Sequence, residues 1–196
     1  MRFRFLTAGE SHGQALVGIL EGLPAGFAFE ADPINEELRL RQVGFGRSRR
    51  MTLESDQIEV LSGIRNGKTI GSPITFILRN RDFHLHRELP PLENPRPGHG
   101  DLVGAMKFRQ NDVRDSLERA SARETAMRTA IGAICQRFLA CFDISFLSHV
   151  IQIGEVRLRS HPEDIWKHQE AIKQSPVLCV ATESEKEMMA TLEQAR

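Results

Sequence analysis

The stretch Ser121-Ala122-Arg123-Glu124-Thr125-Ala126-Met127-Arg128-Thr129-Ala130-Ile131-Gly132-Ala133-Ile134-Cys135-Gln136-Arg137-Phe138 predicts the longest helix of the chain. Ser121 and Glu124 stand at capping-box spacing, and Ala122, Ala126, Ala130, Ile134 and Phe138 recur every four residues to make one apolar face. Alanine dominates that face, so a neighbouring element can approach closely. Upstream, residues 2–7 and 15–20 read as strands separated by the turn Gly9-Glu10-Ser11-His12-Gly13. Asp32 as N-cap, with Pro33 at the first helical position, opens a short helix to about Gln42, ended by Gly44 and Gly46. Residues 58–61 and 73–78 form a hairpin across Asn66-Gly67, the best local turn signal in the chain. Residues 79–103, with four prolines, three histidines and no period, predict a long functional loop. Downstream, residues 144–153 read as a strand, 163–173 as an amphipathic helix, 177–180 as a short strand and 183–194 as a helix. This alternation predicts an α+β domain.

Of the 196 residues, 40% are hydrophobic and 27% charged, the makeup of one folded domain rather than a disordered segment. A chain of this length removes about 70% of its unfolded surface from water, so its core needs no disulfide or metal staple. The 26 basic and 26 acidic residues cancel, which removes the domain-wide positive field of a nucleic-acid binder. Charge-driven binding must then be local. The opening Met1-Arg2-Phe3-Arg4-Phe5-Leu6 has no apolar signal-peptide core, and no later stretch reaches the length of a membrane span. A cytoplasmic protein with no membrane partner is expected. Cys135, Cys141 and Cys179 show neither CxxC spacing nor a matching histidine, and are expected to be buried small hydrophobes rather than a metal centre.

Thirteen of the fifteen glycines precede residue 105, so the first half is rich in the loops that carry binding residues. Between Arg39 and Leu53 stand Arg39, Arg41, Arg47, Arg49 and Arg50, with no acid among them. Arg41 and Arg47 flank the turn Gly44-Phe45-Gly46, whose freedom lets both fold around one anion as bidentate partners of phosphate or carboxylate. A second candidate anion site is the start of the long helix, where Arg119 precedes Ser121. Taken alone, that segment also reads as a plain cap with Arg123 and Arg128 solvated. His12 and His99 stand beside glycines in turns, where a histidine faces a ligand and serves as a general acid. His84 and His86 alternate in the long loop, but no third metal ligand accompanies them at useful spacing, so no metal site is expected.

Four separated motifs together resemble the chorismate synthase family, in the family's order. They are Gly9-Glu10-Ser11-His12-Gly13, then Arg41-Gln42-Val43-Gly44-Phe45-Gly46-Arg47 leading to Arg50-Met51, then Arg96-Pro97-Gly98-His99, and Glu118-Arg119-Ala120-Ser121-Ala122-Arg123-Glu124-Thr125-Ala126. The similarity covers about residues 1–155, and the last forty add little. The resemblance implies an anti 1,4-elimination of phosphate from 5-enolpyruvylshikimate 3-phosphate, giving chorismate, with reduced FMN required and no net redox change. By the same resemblance, His12 protonates the departing phosphate and His99 the reduced flavin. Arg41, Arg47 and Arg50 cradle the anionic substrate, Arg119, Ala120 and Ser121 contact FMN, and NADPH is a candidate reductant for the flavin. Gly100 and Phe108 replace the alanine and tyrosine common in the family.

Family members are roughly twice as long. The resemblance therefore implies a chorismate-synthase-like β-α-β sandwich of which this chain, as a single domain, is the N-terminal half: an antiparallel sheet packed on long helices. The missing half would carry an aspartate implicated in proton transfer and much of the ligand contact surface. Exposed apolar surface and association with partners are expected, and the family is tetrameric. Three readings follow, in order: a chorismate synthase-type lyase; a truncated, non-catalytic remnant that binds flavin, anions or full-length subunits; and a nucleic-acid module on residues 39–50, where Phe45 alone offers stacking.

Overall fold

The computed structural model describes residues 2–46, 53–84, 89–159 and 161–195. The expected sites Arg47 and Arg50, and His86 of the long loop, lie outside the described residues. Four strands form an antiparallel sheet in the order β1-β2-β6-β3, with β1 Arg4–Ala8, β2 Ala15–Glu21, β3 Glu59–Ser62 and β6 Ile74–Arg79. Period-two alternation puts Leu16, Gly18 and Leu20 of β2 and Ile74, Phe76 and Leu78 of β6 on one buried face. Helix α1 (Asp32–Gln42) contributes Ile34 and Leu38 to the same core. The longest helix, α4 (Glu124–Ala140), contributes Ala126, Met127, Ala130, Ile131, Ala133 and Ile134. Each large aliphatic side chain taken out of water here contributes about 1.5–3 kcal/mol.

Of the predicted alanine face, Ala126 and Ala130 are fully buried in this core, while Ala122 precedes the helix and is exposed. A Cβ on Gly18 would lie 2.6 Å from the Met127 sulfur and 2.7 Å from the Phe76 ring, so sheet and helix meet at a point where only a glycine fits without displacement. The expected pairing of residues 58–61 with 73–78 is present as β3 against β6. Asn66-Gly67 closes a smaller ribbon between them, β4 (Ile64–Arg65) on β5 (Lys68–Thr69), and both turn residues have the positive φ of a primed hairpin turn, 51° and 69°.

Other boundaries differ from expectation. Ala31, not Asp32, is the N-cap of α1, with Asp32 in the first turn and no side-chain cap bond. Helix α4 starts at Glu124 rather than Ser121, because the capping box does not close. The Arg123 N–H donates to Ser121 Oγ at 3.3 Å, while the Glu124 carboxylate accepts from Thr7 Oγ1 at 2.5 Å and from Arg128 Nε at 2.7 Å. Two helices interrupt and follow the expected loop: α2 (Asp101–Phe108) and α3 (Arg114–Arg119). Gly104 lets them touch, since a Cβ there would sit 2.1 Å from Ser116 Oγ.

Residues 144–153 are not one strand: only Gln152–Ile153 (β7) pairs, with Val156–Arg157 (β8). Nor is 177–180 a strand. Leu178 takes a left-handed φ of 56°, which bends the chain, and the two segments share a single bond from Val150 N–H to the Leu178 carbonyl at 2.9 Å. The expected helix over 163–173 divides into a 3₁₀ turn (Ile165–His168) and α5 (Gln169–Gln174). The final helix, α6 (Thr182–Gln194), is close to expectation. Around it Leu158, Val177, Cys179 and Met188 form a second small core. Cys179 is buried and Cys135 partly so, and burial raises the Cys135 thiol pKa, but Cys141 at the end of α4 is exposed, against expectation. Among the described residues no helix is long and apolar enough to cross a membrane.

Candidate functional site

The β1–β2 turn lays His12 against the C-terminal end of α3. His12 Nδ1 lies 2.8 Å from Glu118 Oε1, and the backbone N–H of His12 donates to Glu118 Oε2 at 2.7 Å. Glu118 is buried, with 6% of its surface exposed, so its carboxylate is spent on this one turn. A carboxylate on Nδ1 fixes the tautomer and the ring plane and leaves Nε2 on the far side of the ring, 3.6 Å from Asp82 Oδ2. The adjacent Ser11 N–H donates to the Glu118 carbonyl, and the Ser11 and Ser121 hydroxyls meet at 3.0 Å. Asn80 Nδ2 holds the turn from below through the carbonyls of Glu10 and Gly13.

Arg119, the last residue of α3, donates from Nη2 to the Thr7 carbonyl at 3.1 Å and lies 3.7 Å from Glu124. Ala120 caps α3 and Ser121 begins the turn into α4. Arg41, from the end of α1, donates to the Ala122 carbonyl at 2.9 Å and to Thr125 Oγ1 at 2.8 Å. Arg41, the one described member of the expected Arg41, Arg47 and Arg50 cradle, therefore meets the second expected anion site at one place, the first turn of α4. Arg39 does not join them, being paired with Glu36 on the surface, which raises its pKa. Arg123, taken as solvated from the segment alone, is buried beside Asp56 at 2.7 Å with Asn80 Oδ1 accepting from its Nε. That cluster anchors the start of α4 from inside. Arg128 is exposed as expected, bridging to Glu124.

His99 sits one residue before the N-cap of α2. Its Nδ1 makes a short hydrogen bond with the fully buried Asp101, and Arg96 Nη2 lies 3.1 Å from both ring nitrogens. Burial opposes ionisation of Asp101, but the Arg96 backbone N–H, His99 and the Arg96 side chain together outweigh it and lower its pKa. Gly100 brings this turn towards the first site: a Cβ there would stand 2.9 Å from the Ala120 methyl. Sequence reasoning gave no role to Glu118, Asp82 or Asp101. Asp101 and Asp82 each stand two positions from a histidine, a signal that was available. Nothing local links Glu118 to His12, which are 106 positions apart.

His86, which the sequence pairs with His84, lies outside the described residues. His84, Asp82 and His12 offer donor atoms all within 4.8 Å of one another, because the third member comes from the β1–β2 turn and not from the same loop.

The family model described as chorismate synthase matches residues 3–196, so the likeness runs through the final forty residues, further than the motifs alone indicate. The chorismate synthase of Alkaliphilus oremlandii is 45% identical over 202 residues, covering 98% of this chain and 53% of the relative. That of Aquifex aeolicus is 42% identical over 212 residues, with 98% and 53% covered. A solved structure described as a crystal structure of chorismate synthase superposes with a TM-score of 0.79 at 39% identity, over 99% of this chain and 53% of that one. The chain thus spans about half the length of the relatives it matches.

Proposed function

The chain belongs to the chorismate synthase family, and from that premise we propose that it serves the elimination of phosphate from 5-enolpyruvylshikimate 3-phosphate to chorismate, the lyase step of the shikimate pathway towards aromatic amino acids. The observation that carries this reading is the His12 ring, held through Nδ1 by the buried Glu118. In the elimination the carbon–oxygen bond to phosphate breaks and the far end of the 1,4 system gives up a proton, for which reduced FMN, where bound, would be the acceptor. His12 holds a proton at Nε2 and passes it to the departing phosphate oxygen. Arg41, together with Arg47 and Arg50, binds the carboxylates and phosphate of the substrate.

Arg119, Ala120 and Ser121 at the α3–α4 junction would hold FMN, the half-exposed Arg119 guanidinium offering its charge to the nucleotide's phosphate. Reduced FMN, when bound, supplies electron density to the reacting ring with no net redox change, and NADPH is its candidate reductant. His99, oriented by Asp101, is the proton donor to the cofactor. The same reading makes the protein a cytoplasmic homo-oligomer, a tetramer as in the family, with one chorismate-synthase-like domain over residues 1–196. A second reading stands beside it, a non-catalytic remnant that binds flavin, anions or full-length subunits.

Anaerobic phosphate release with chemically reduced FMN, run beside a His12→Ala variant, separates the two. Release by the chain and not by the variant supports the lyase. No release from a folded chain favours the remnant.

A further inference from the structure

We propose that His12, Asp82 and His84 form a binding site for a borderline divalent cation of the zinc type, and that the cation competes for the His12 nitrogen that the elimination uses. His12 Nε2 lies 3.6 Å from Asp82 Oδ2, and His84 Nδ1 lies 3.1 Å from Asp82 Oδ1. Donors at the usual zinc distances in a tetrahedral site are separated by about 3.3 Å, and the two contacts, one to each Asp82 oxygen, bracket that spacing. The His12 and His84 rings stand 4.2 Å apart between centroids, and the donor atoms of all three residues lie within 4.8 Å of one another.

The ligand-bearing turns are already fixed. The His84 N–H donates to the His12 carbonyl at 3.1 Å, the Asn80 N–H to the Gln14 carbonyl at 3.0 Å, and the Arg81 N–H to Glu54 Oε2 at 2.9 Å. Glu118 on His12 Nδ1 reproduces the carboxylate–histidine arrangement that orients metal-bound imidazoles and raises their basicity. Two imidazoles and one carboxylate, with a fourth position left for water, suit zinc and its neighbours Co²⁺ and Ni²⁺ rather than calcium or magnesium. The ion would displace the proton shared between His84 and Asp82 and the contact between His12 and Asp82. Its effect on turnover rests on the reading of His12 as the acid. Its binding does not.

Isothermal titration of the whole chain with Zn²⁺, without substrate or flavin, tests the site directly, and the visible absorption of the Co²⁺ complex reports its geometry. One equivalent should bind, with four-coordinate Co²⁺ bands. His84→Ala and Asp82→Asn should each weaken Zn²⁺ binding by about tenfold or more, and Glu118→Gln by about 10- to 100-fold. His149→Ala, outside the cluster, should leave it unchanged. Absence of binding overturns the site, as does undiminished affinity in His84→Ala and Asp82→Asn. Should those variants fold poorly, the imidazole nitrogen resonances of the unaltered chain decide: Zn²⁺ must shift those of His12 and His84, and shifts confined to other histidines overturn the site. Bound Zn²⁺ that left phosphate release undiminished would keep the site and count against His12 as the acid.

Discussion

His12 would be an ordinary turn histidine without Glu118, whose buried carboxylate both receives its backbone N–H and holds Nδ1. Since orientation of the ring is the contribution at issue, Glu118→Gln should lower the turnover number about 100-fold while KM changes little. Steady-state phosphate release measures both, and a variant with full turnover would remove Glu118 from the mechanism. Asp101 plays the corresponding part for His99. The positioning partners were hidden for different reasons. Asp101 lies two residues from its histidine and could be read as a pair, whereas Glu118 is brought to His12 by the packing of α3 on the β1–β2 turn.

The junction of β2 with α4 and the turn between β4 and β5 each depend on a glycine, but for unrelated physical reasons. At Gly18 an added methyl meets Met127 and Phe76 inside the core, so Gly18→Ala should destabilise the fold by about 1–3 kcal/mol through overpacking. At Gly67 no atom lies within 4 Å of the added methyl, and φ is 69°. Gly67→Ala should then cost about 1 kcal/mol from backbone strain alone. Urea denaturation measures both, and the Gly18 variant should also show altered near-ultraviolet dichroism, because its neighbour is an aromatic ring. These elements were legible because one period or one dipeptide defines them. The expected strand over 144–153 was misread because apolar residues in series do not reveal the left-handed Leu178 opposite them.

Acid should unfold the molecule through carboxylates whose folded pKa values lie below the ordinary 3.8 and 4.5. Asp112 is lowered by the Arg114 N–H against burial, with the Leu92 N–H assisting. At Asp101 and Glu124 burial is overcome by hydrogen bonds and charge. In each the folded state binds fewer protons, so the stabilisation is complete above the unfolded values and is lost as pH falls through the lowered folded ones. Urea midpoints should fall steeply below about pH 4, and less steeply in Asp101→Asn. Exposed apolar side chains, among them Leu6 on β1 and Val103 and Met106 on α2, are the surface that the expected association would bury. A concentration-dependent sedimentation coefficient would reveal it.

Local periodicity and turn chemistry were enough to write down the sheet strands, the alanine-faced helix and the motifs that carry the family, because each reflects which side of a short segment avoids water. The meeting of Glu118 with His12, of Asp82 and His84 with that same ring, and of Arg41 with the first turn of α4 was set by the global packing of the chain. Contacts between residues tens of positions apart depend on how whole elements dock, and no period within a single segment encodes that.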